Sequence, residues 1–344
     1  MEIKEKIIHF AQAHRKFRTK DLVLFFKKEF SRQYIARILN ILINEGILIK
    51  DGSTKASFYA LANNSDAFGN SLVRRFENKN LEEHTIFMEI EKQFRVMSKL
   101  DENIYSIIYY ALSEMLNNAI EHSESDIIEV YLEKRKTDIV FAIRDFGIGV
   151  FKNIQKKRGL NSEFEAVQDL LKGKTTTAPK AHSGEGIFFT SKIADVFVIE
   201  SFDLGLRIDN ANDDVFLEDL KRSKKGTRVI FQISMKSKKH LNKVFEKYQT
   251  DPETFEFDKT EIKVKLYTMG TIYISRSQAR RILSGLDKFK LVLLDFENVP
   301  AIGQAFADEI FRVFKEKHPN ITIEAVNTNP AIDFMIQRAV KTQR

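Results

Sequence analysis

Apolar positions recur at helical spacing over the first sixty residues. Ile3, Ile7, Ile8 and Phe10 begin one amphipathic helix, and Thr19 is placed to cap a second through Leu24 and Phe25. Ser31 is placed to cap a third, with Ile35, Leu39, Leu42 and Ile43 on its buried side and Gly46 at its end. The run ILIKDGSTKASFYAL then predicts two strands around a polar tip at Asp51–Lys55. Residues 63–80 are polar and poorly periodic and read as a linker leading into a helix. From 81 to 122 the period is helical again, with Phe87, Ile90, Phe94, Ile107, Ile108, Leu112 and Met115 inward. Two strands follow, DIIEVYLE and DIVFAIRDFG, then a polar stretch over 150–183 that is helical around Phe164–Leu171. A helix after Gly186 and strands near 196–202 and 227–234 complete the middle of the chain. Residues 236–260 are charged and read as a second linker. From 261 the order is strand, helix (276–286), strand (KLVLLDF), helix (303–317), strand (ITIEAV), helix (330–340), a compact α/β pattern. Repeats and low-complexity segments are not evident.

The 344 residues exceed what one ordinary core organises. The pattern divides them into 1–62, 80–235 and 261–344, an α/β multidomain chain. Apolar residues are 43% and charged residues 30%, as in globular proteins. No apolar run approaches the roughly 20 residues that cross a bilayer, and the N-terminus does not read as a secretory signal, so a cytoplasmic location without membrane partners is expected. With no cysteine, disulfides, thiolate metal sites and thiol nucleophiles are excluded. The net charge of +7 is unevenly placed: residues 1–62 hold 12 Lys/Arg against 6 Asp/Glu. A basic excess confined to one small segment fits a polyanion partner, although an ordinary solvated surface explains it as well.

Four short segments carry candidate chemistry. In EMLNNAIEH (114–122), Glu114 and Asn118 lie four apart and so share one helix face. Leu112, Met115 and Leu116 bury the opposite side. A carboxylate and an amide on one face fit a base and a metal ligand. In RDFGIG (144–149), Asp145 ends a strand and can accept a hydrogen bond from an amino group. Gly147 and Gly149 after it allow close backbone approach. In HSGEGIFFTSKIAD (182–195), Gly184 and Gly186 precede an amphipathic helix whose amides can cradle phosphates. In KKGTRVIFQI (224–233), Gly226 and Thr227 open a strand. Each segment alone is common. The four in this order, on helix, strand end, loop-helix and strand, are specific.

Together they resemble the GHKL superfamily of ATPases and kinases over about residues 80–235, and the Glu121–His122 ending is most similar to anti-sigma-factor-type kinases. The resemblance implies a Bergerat α/β sandwich with a mixed sheet that binds Mg²⁺ and ATP. Asn118 would hold Mg²⁺ through its side-chain oxygen, and Glu114 would orient or deprotonate the attacking group. Asp145, with Gly147, Gly149 and Thr227, would hold the adenine end, and Gly184 and Gly186 the phosphates. The family often has further glycines where this chain has Ser183, a departure that weakens phosphate contacts at His182 and Ser183. Residues 150–181 correspond to the family's ATP lid, whose Lys152, Lys156, Lys157, Arg158, Lys172 and Lys174 could meet phosphates. His84 is the one nearby upstream phosphoacceptor candidate. Thr85 follows it instead of an acid, and a structural role is expected.

The N-terminal segment resembles a winged helix-turn-helix. Arg32, Gln33 and Arg37, with Ser31 and Asn40, lie on the polar side of its third helix and are residue types that read DNA bases. Lys20, Lys50 and Lys55 could touch phosphates. A protein-contact role is the alternative. The C-terminal segment resembles a STAS-like domain, but the stretch Ala301–Ala307 has no hydroxyl where STAS antagonists carry a phosphorylatable Ser. Phe306, Ile310, Phe311 and Phe314 read as its core, with Asp295, Gln304 and Asp308 as a candidate binding surface. The function expected is an ATP-dependent regulator, in transcription or defence, that hydrolyses ATP slowly and binds DNA or a protein partner. A serine/threonine protein kinase of the anti-sigma type and a nucleotide-sensing DNA-binding protein without turnover remain as alternatives, and a homodimer stays open.

Overall fold

The computed structural model describes residues 3–14, 16–27, 29–51, 57–62, 71–174, 184–251, 253, 256–267 and 273–341. The chain forms two compact units, one of Met1–Ile148 with Ala194–Lys238 and one of Gly149–Ile193 with Lys239–Arg344. No helix among the described residues is long and apolar enough to cross a membrane.

The first unit begins with α1 (Ile3–Ala13), β1 (Phe17–Arg18), α2 (Thr19–Phe25), α3 (Arg32–Asn44), β2 (Leu48–Asp51) and β3 (Phe58–Leu61). The three strands pair antiparallel in the order β1-β3-β2. Ile7, Leu22, Ile35, Leu39 and Leu42 are fully buried between helices and sheet. Ser31 caps α3: its Oγ accepts from the Tyr34 amide at 3.1 Å. Thr19 does not cap α2 but opens it, and the Asp21 carboxylate accepts the Arg18 amide at 2.7 Å instead. Most of the hairpin tip, Lys55 included, lies outside the described residues.

The same unit holds a five-stranded sheet of β4 (Ser71–Glu77), β5 (Ile127–Lys134), β6 (Asp138–Asp145), β7 (Val196–Asp209) and β8 (Asp214–Ser234), in the order β4-β5-β6-β8-β7, and it is antiparallel at every pairing where a mixed sheet was expected. The reading of 63–80 as linker is corrected over 71–77. SLVRRFE alternates, but it is an edge strand with charged outward positions, and those positions hid its period. The hairpin of β7 and β8 is also longer than the two short strands expected. Central β6 is buried along Ile139–Ile143, and its Phe141 stacks on Phe231 of β8 at 4.9 Å. Two helices, α4 (Glu83–Gln93) and α5 (Glu102–His122), accompany the sheet, with α5 packed on β6.

The second unit contains α6 (Val150–Arg158), α7 (Glu163–Lys172), α8 (Gly186–Ile193) and α9 (Leu241–Lys247). These are followed by β9 (Lys259–Lys263), α10 (Arg276–Leu283), β10 (Leu291–Asp295) and α11 (Gln304–Asp308). A π-helical turn (Glu309–Phe314) continues α11 into α12 (Lys315–Lys317), and β11 (Thr322–Val326) and α13 (Pro330–Lys341) close the chain. The strands pair parallel in the order β11-β10-β9. Phe306, Ile310, Phe311 and Phe314 are buried as expected. The charged stretch read as a second linker holds α9, whose residues include no fully covered side chain, and the first two residues of β9.

Helices α7 and α8 share a core with this parallel sheet. Phe188 and Phe189 of α8 pack on Phe257 at 4.7 and 4.9 Å, and Phe257 packs on Phe289 at 5.4 Å. Tyr248 closes on Phe188 at 4.9 Å. Aromatic pairs at such distances add attraction beyond their buried area. Thr260 of β9 donates its hydroxyl to the Lys172 carbonyl at 2.6 Å.

Candidate nucleotide site

Helix α5 has the sequence ENIYSIIYYALSEMLNNAIEH, and its apolar stripe sinks Ala111, Leu112, Met115, Leu116 and Ala119 against the sheet. Glu114 and Asn118 fall beside that stripe, half-buried, one turn apart on one face. Their placement follows from the hydrophobic period alone.

Asp145 is the last residue of β6 and is only 5% exposed. Its Oδ1 accepts the Gly147 amide at 3.0 Å and the Thr227 amide at 3.1 Å. Burial pushes the carboxyl up from its ordinary value, while the two amides, the Thr227 hydroxyl and nearby Arg144 pull it back down. One carboxylate oxygen is thus fixed by the backbone, which sets the direction in which the other can accept. Gly226 makes this possible: at φ +84° it turns the chain so that Thr227 reaches Asp145, and a Cβ there would stand 2.2 Å from the Asp145 carbonyl oxygen.

The end of α5 is bound to the segment after Asp145. Ser123, the C-cap residue, accepts the Ile148 amide on its carbonyl at 2.8 Å, and Ser125 Oγ accepts the Phe146 amide at 2.9 Å. Gly147 lies against this turn so closely that a Cβ would meet the Ser123 oxygen at 1.7 Å. The helix carrying Glu114 and Asn118 is therefore registered against Asp145 by backbone contacts. Nothing in the sequence distinguished Ser123 and Ser125 from ordinary helix-end serines.

Residues 83–209 match the family model described as a histidine kinase-like ATPase domain. The match spans Glu114, Asn118, Asp145, Gly147, Gly149, Gly184 and Gly186, and it stops before Thr227. A second model, described as a STAS-like domain of unknown function (DUF4325), matches residues 278–333. A comparison with curated proteins finds no match.

The remaining candidates are placed as follows. Asp145, Gly147, Thr227, Glu114 and Asn118 belong to the first unit of the chain; Gly149, Gly184 and Gly186 belong to the second. Gly149 precedes α6 and Gly186 opens α8. His182 and Ser183 lie outside the described residues, as do residues 175–181 of the segment read as a lid. Three of the basic residues expected to meet phosphates are otherwise engaged, Lys174 by donating to the Lys288 carbonyl at 3.2 Å. Arg158 pairs with buried Asp169 at 2.8 Å. Lys172 is buried, donating to the Arg281 and Ser284 carbonyls at 2.8 Å each, and burial lowers its pKa to about 8. Lys152, Lys156 and Lys157 are exposed on α6. His84 lies exposed at the start of α4, 3.5 Å from Glu82, so it is not a packed structural residue.

The STAS-like surface is also corrected. Asp295 is buried and accepts from the Glu297 amide and Asn327 Nδ2 at 2.9 Å each. Asp308 is held by Arg312 and Arg276. Only Gln304 of the three stands open. In the N-terminal segment, Arg32, Gln33 and Arg37 are exposed on α3.

The donor set suits a magnesium nucleotide. Asn118 offers the neutral oxygen that Mg²⁺ takes beside phosphates and water, and no cluster of three acidic or histidine residues that would suggest a protein-only metal site occurs among the described residues. Ser201 faces Thr227 across β7 and β8, is fully buried, and its hydroxyl has no hydrogen-bond partner among the described residues. An unmet hydroxyl beside the Asp145–Thr227 pair suits the water that such an adenine contact uses.

Proposed function

We propose that the chain is an ATP-dependent regulator whose first unit holds Mg²⁺ and ATP between α5 and the end of β6. One observation carries the reading: buried Asp145 has one oxygen fixed by two backbone amides, and the loop after it is bonded to the end of the helix that bears Glu114 and Asn118. Asp145 accepts the adenine amino group, with Thr227 beside it. Asn118 supplies an oxygen ligand to Mg²⁺, which when bound neutralises phosphate charge. Glu114, four residues earlier on the same face, orients the attacking water for slow hydrolysis.

The output is read through the STAS-like segment. Helices α7 and α8 pack with the parallel sheet through Phe257, Thr260 and the Lys172 contacts. Any nucleotide-driven shift of these helices therefore changes the packing of that sheet. Phosphorelay through this segment is not part of the proposal, because Ala301–Ala307 has no hydroxyl. The N-terminal segment is proposed to be a winged helix that holds DNA through Arg32, Gln33 and Arg37, with a protein partner and a homodimer as further elements of the assembly.

Incubation with γ-labelled ATP and Mg²⁺ tests the reading. Free phosphate released by the wild type and lost in Glu114→Ala supports hydrolysis. Label transferred to a protein, with no free phosphate, would move the assignment to a serine/threonine kinase. Nucleotide-dependent DNA binding that ignores Glu114 would leave a sensor without turnover.

A further inference from the structure

A groove of about 870 Å³ lies between the C-terminal end of α3 with β2 on one side and α4 with β4 on the other, entirely within the first unit. It is separate from the proposed nucleotide residues, none of which lines it. Its size falls in the range of small-molecule sites.

Five cations line it: Lys50, Arg74, Arg75, Lys92 and Arg95. Two carboxylates, Glu89 and Glu129, oppose them, and each is already engaged, Glu89 by Arg74 at 3.7 Å and Glu129 by Arg75 at 3.8 Å. Lys50, Lys92 and Arg95 have no ion pair among the described residues. The groove thus holds an uncompensated positive charge contributed by β2, by α4 and by the turn just after α4. Such a concave, one-signed field concentrates anions.

Arg74 organises the groove. Its guanidinium donates to the Val73 carbonyl at 2.7 Å, to the Lys50 carbonyl at 3.0 Å and to Gln93, whose amide in turn donates to Glu89 at 3.1 Å. That network joins the N-terminal strand β2 to β4 and α4 and presents a fixed basic floor. Val73 and Met88 stand 58% exposed at the same groove and offer apolar contact beside the charges.

We infer that this groove is a binding site for a small, multiply charged phosphate-bearing anion, independent of the ATP pocket. Arginine forks and lysines at one concave site suit phosphate oxygens. The ligand would contact the N-terminal segment and the histidine kinase-like segment at once, which makes it an effector that ties the two together.

The test is calorimetric titration of inorganic tripolyphosphate into the full chain at 0.15 M salt, with a non-hydrolysable ATP analogue and Mg²⁺ already saturating. Arg75→Glu with Lys92→Glu removes exposed side chains and leaves the Arg74 network intact. Lys236→Glu with Lys238→Glu makes the same charge change elsewhere. The expected result is one tripolyphosphate site in the wild type and in the Lys236/Lys238 control, weakened at least about tenfold in the groove variant. Absence of binding in the wild type, equal loss in both variants, or a groove variant that loses only duplex DNA binding would each overturn the inference. Failure of the ATP reading would show instead as an additional tripolyphosphate site kept by both variants, while the groove site is read from its loss in the groove variant alone.

Discussion

Asp145→Asn separates recognition from folding. The substitution preserves size, and an Asn carbonyl can keep the two contacts now made by Oδ1, to the Gly147 and Thr227 amides. That orientation turns the Asn amino group toward the place where the second carboxylate oxygen accepts. An adenine amino group then meets a donor instead of an acceptor. The loss comprises a charge-assisted hydrogen bond, about 1.5–3 kcal/mol, and an unmet donor, about 1–3 kcal/mol. Their combination weakens ATP-analogue binding on the order of a hundredfold or more. A guanine oxygen accepts where adenine donates, so the discrimination between adenine and guanine analogues shrinks. Folding responds differently. Burial holds the Asp145 carboxyl above its ordinary pKa, so the ionised group disfavours the folded state at neutral pH. Removing the charge relieves that cost while weakening the hydrogen bonds from the two amides and the Thr227 hydroxyl, so the two changes oppose each other. The melting temperature should therefore move by only a few degrees. Titration calorimetry with both analogues, beside a thermal melt, makes the measurement. Unchanged adenine affinity in a folded variant would refute the argument.

Gly147→Ala should destabilise the first unit by about 2–3 kcal/mol, because the Cβ would stand 1.7 Å from the Ser123 carbonyl and force apart the latch at Ile148; urea unfolding reads the loss. Lys172→Met should flatten part of the pH dependence of stability. The folded pKa of about 8 lies below the ordinary lysine value near 10.5, so the unfolded chain binds more protons between those limits and wild-type stability rises with pH there. Chemical denaturation from pH 7 to 10.5 should show that rise in the wild type and less of it in the variant. Phe257→Ala removes the ring that joins Phe188 and Phe189 to Phe289 and should cost about 3–4 kcal/mol, seen as earlier unfolding of the second unit. Arg32→Ala with Arg37→Ala should weaken DNA binding in a gel shift without changing the melt, since both side chains are exposed.

Periodicity made most of the architecture legible. The apolar stripe of α5, the alternation of β5 and the strand-helix order after 259 all lie in plain sequence, because burial on one face leaves a period. Elements with only one or two buried apolar positions among polar ones escaped. Strand β4 displays charged residues at a sheet edge, β1 is two residues long, and α6 is rich in lysine and arginine. The chemistry followed the same rule. Glu114, Asn118 and Asp145 were visible as a spacing and a strand end. Ser123, Ser125 and Ser201 were not, because their roles depend on which backbone atoms the fold brings beside them. The fate of Lys172 was hidden for the same reason. A lysine in a polar stretch gives no sign that distant carbonyls of residues 281 and 284 will enclose it.

A crystal structure of the full chain with Mg²⁺ and a non-hydrolysable ATP analogue bears most directly on the central claim. The adenine amino group should sit within hydrogen-bond distance of the Asp145 carboxylate, and the metal should carry the side-chain oxygen of Asn118. A nucleotide bound with its base away from Asp145, or a metal coordinated without Asn118, would contradict the account.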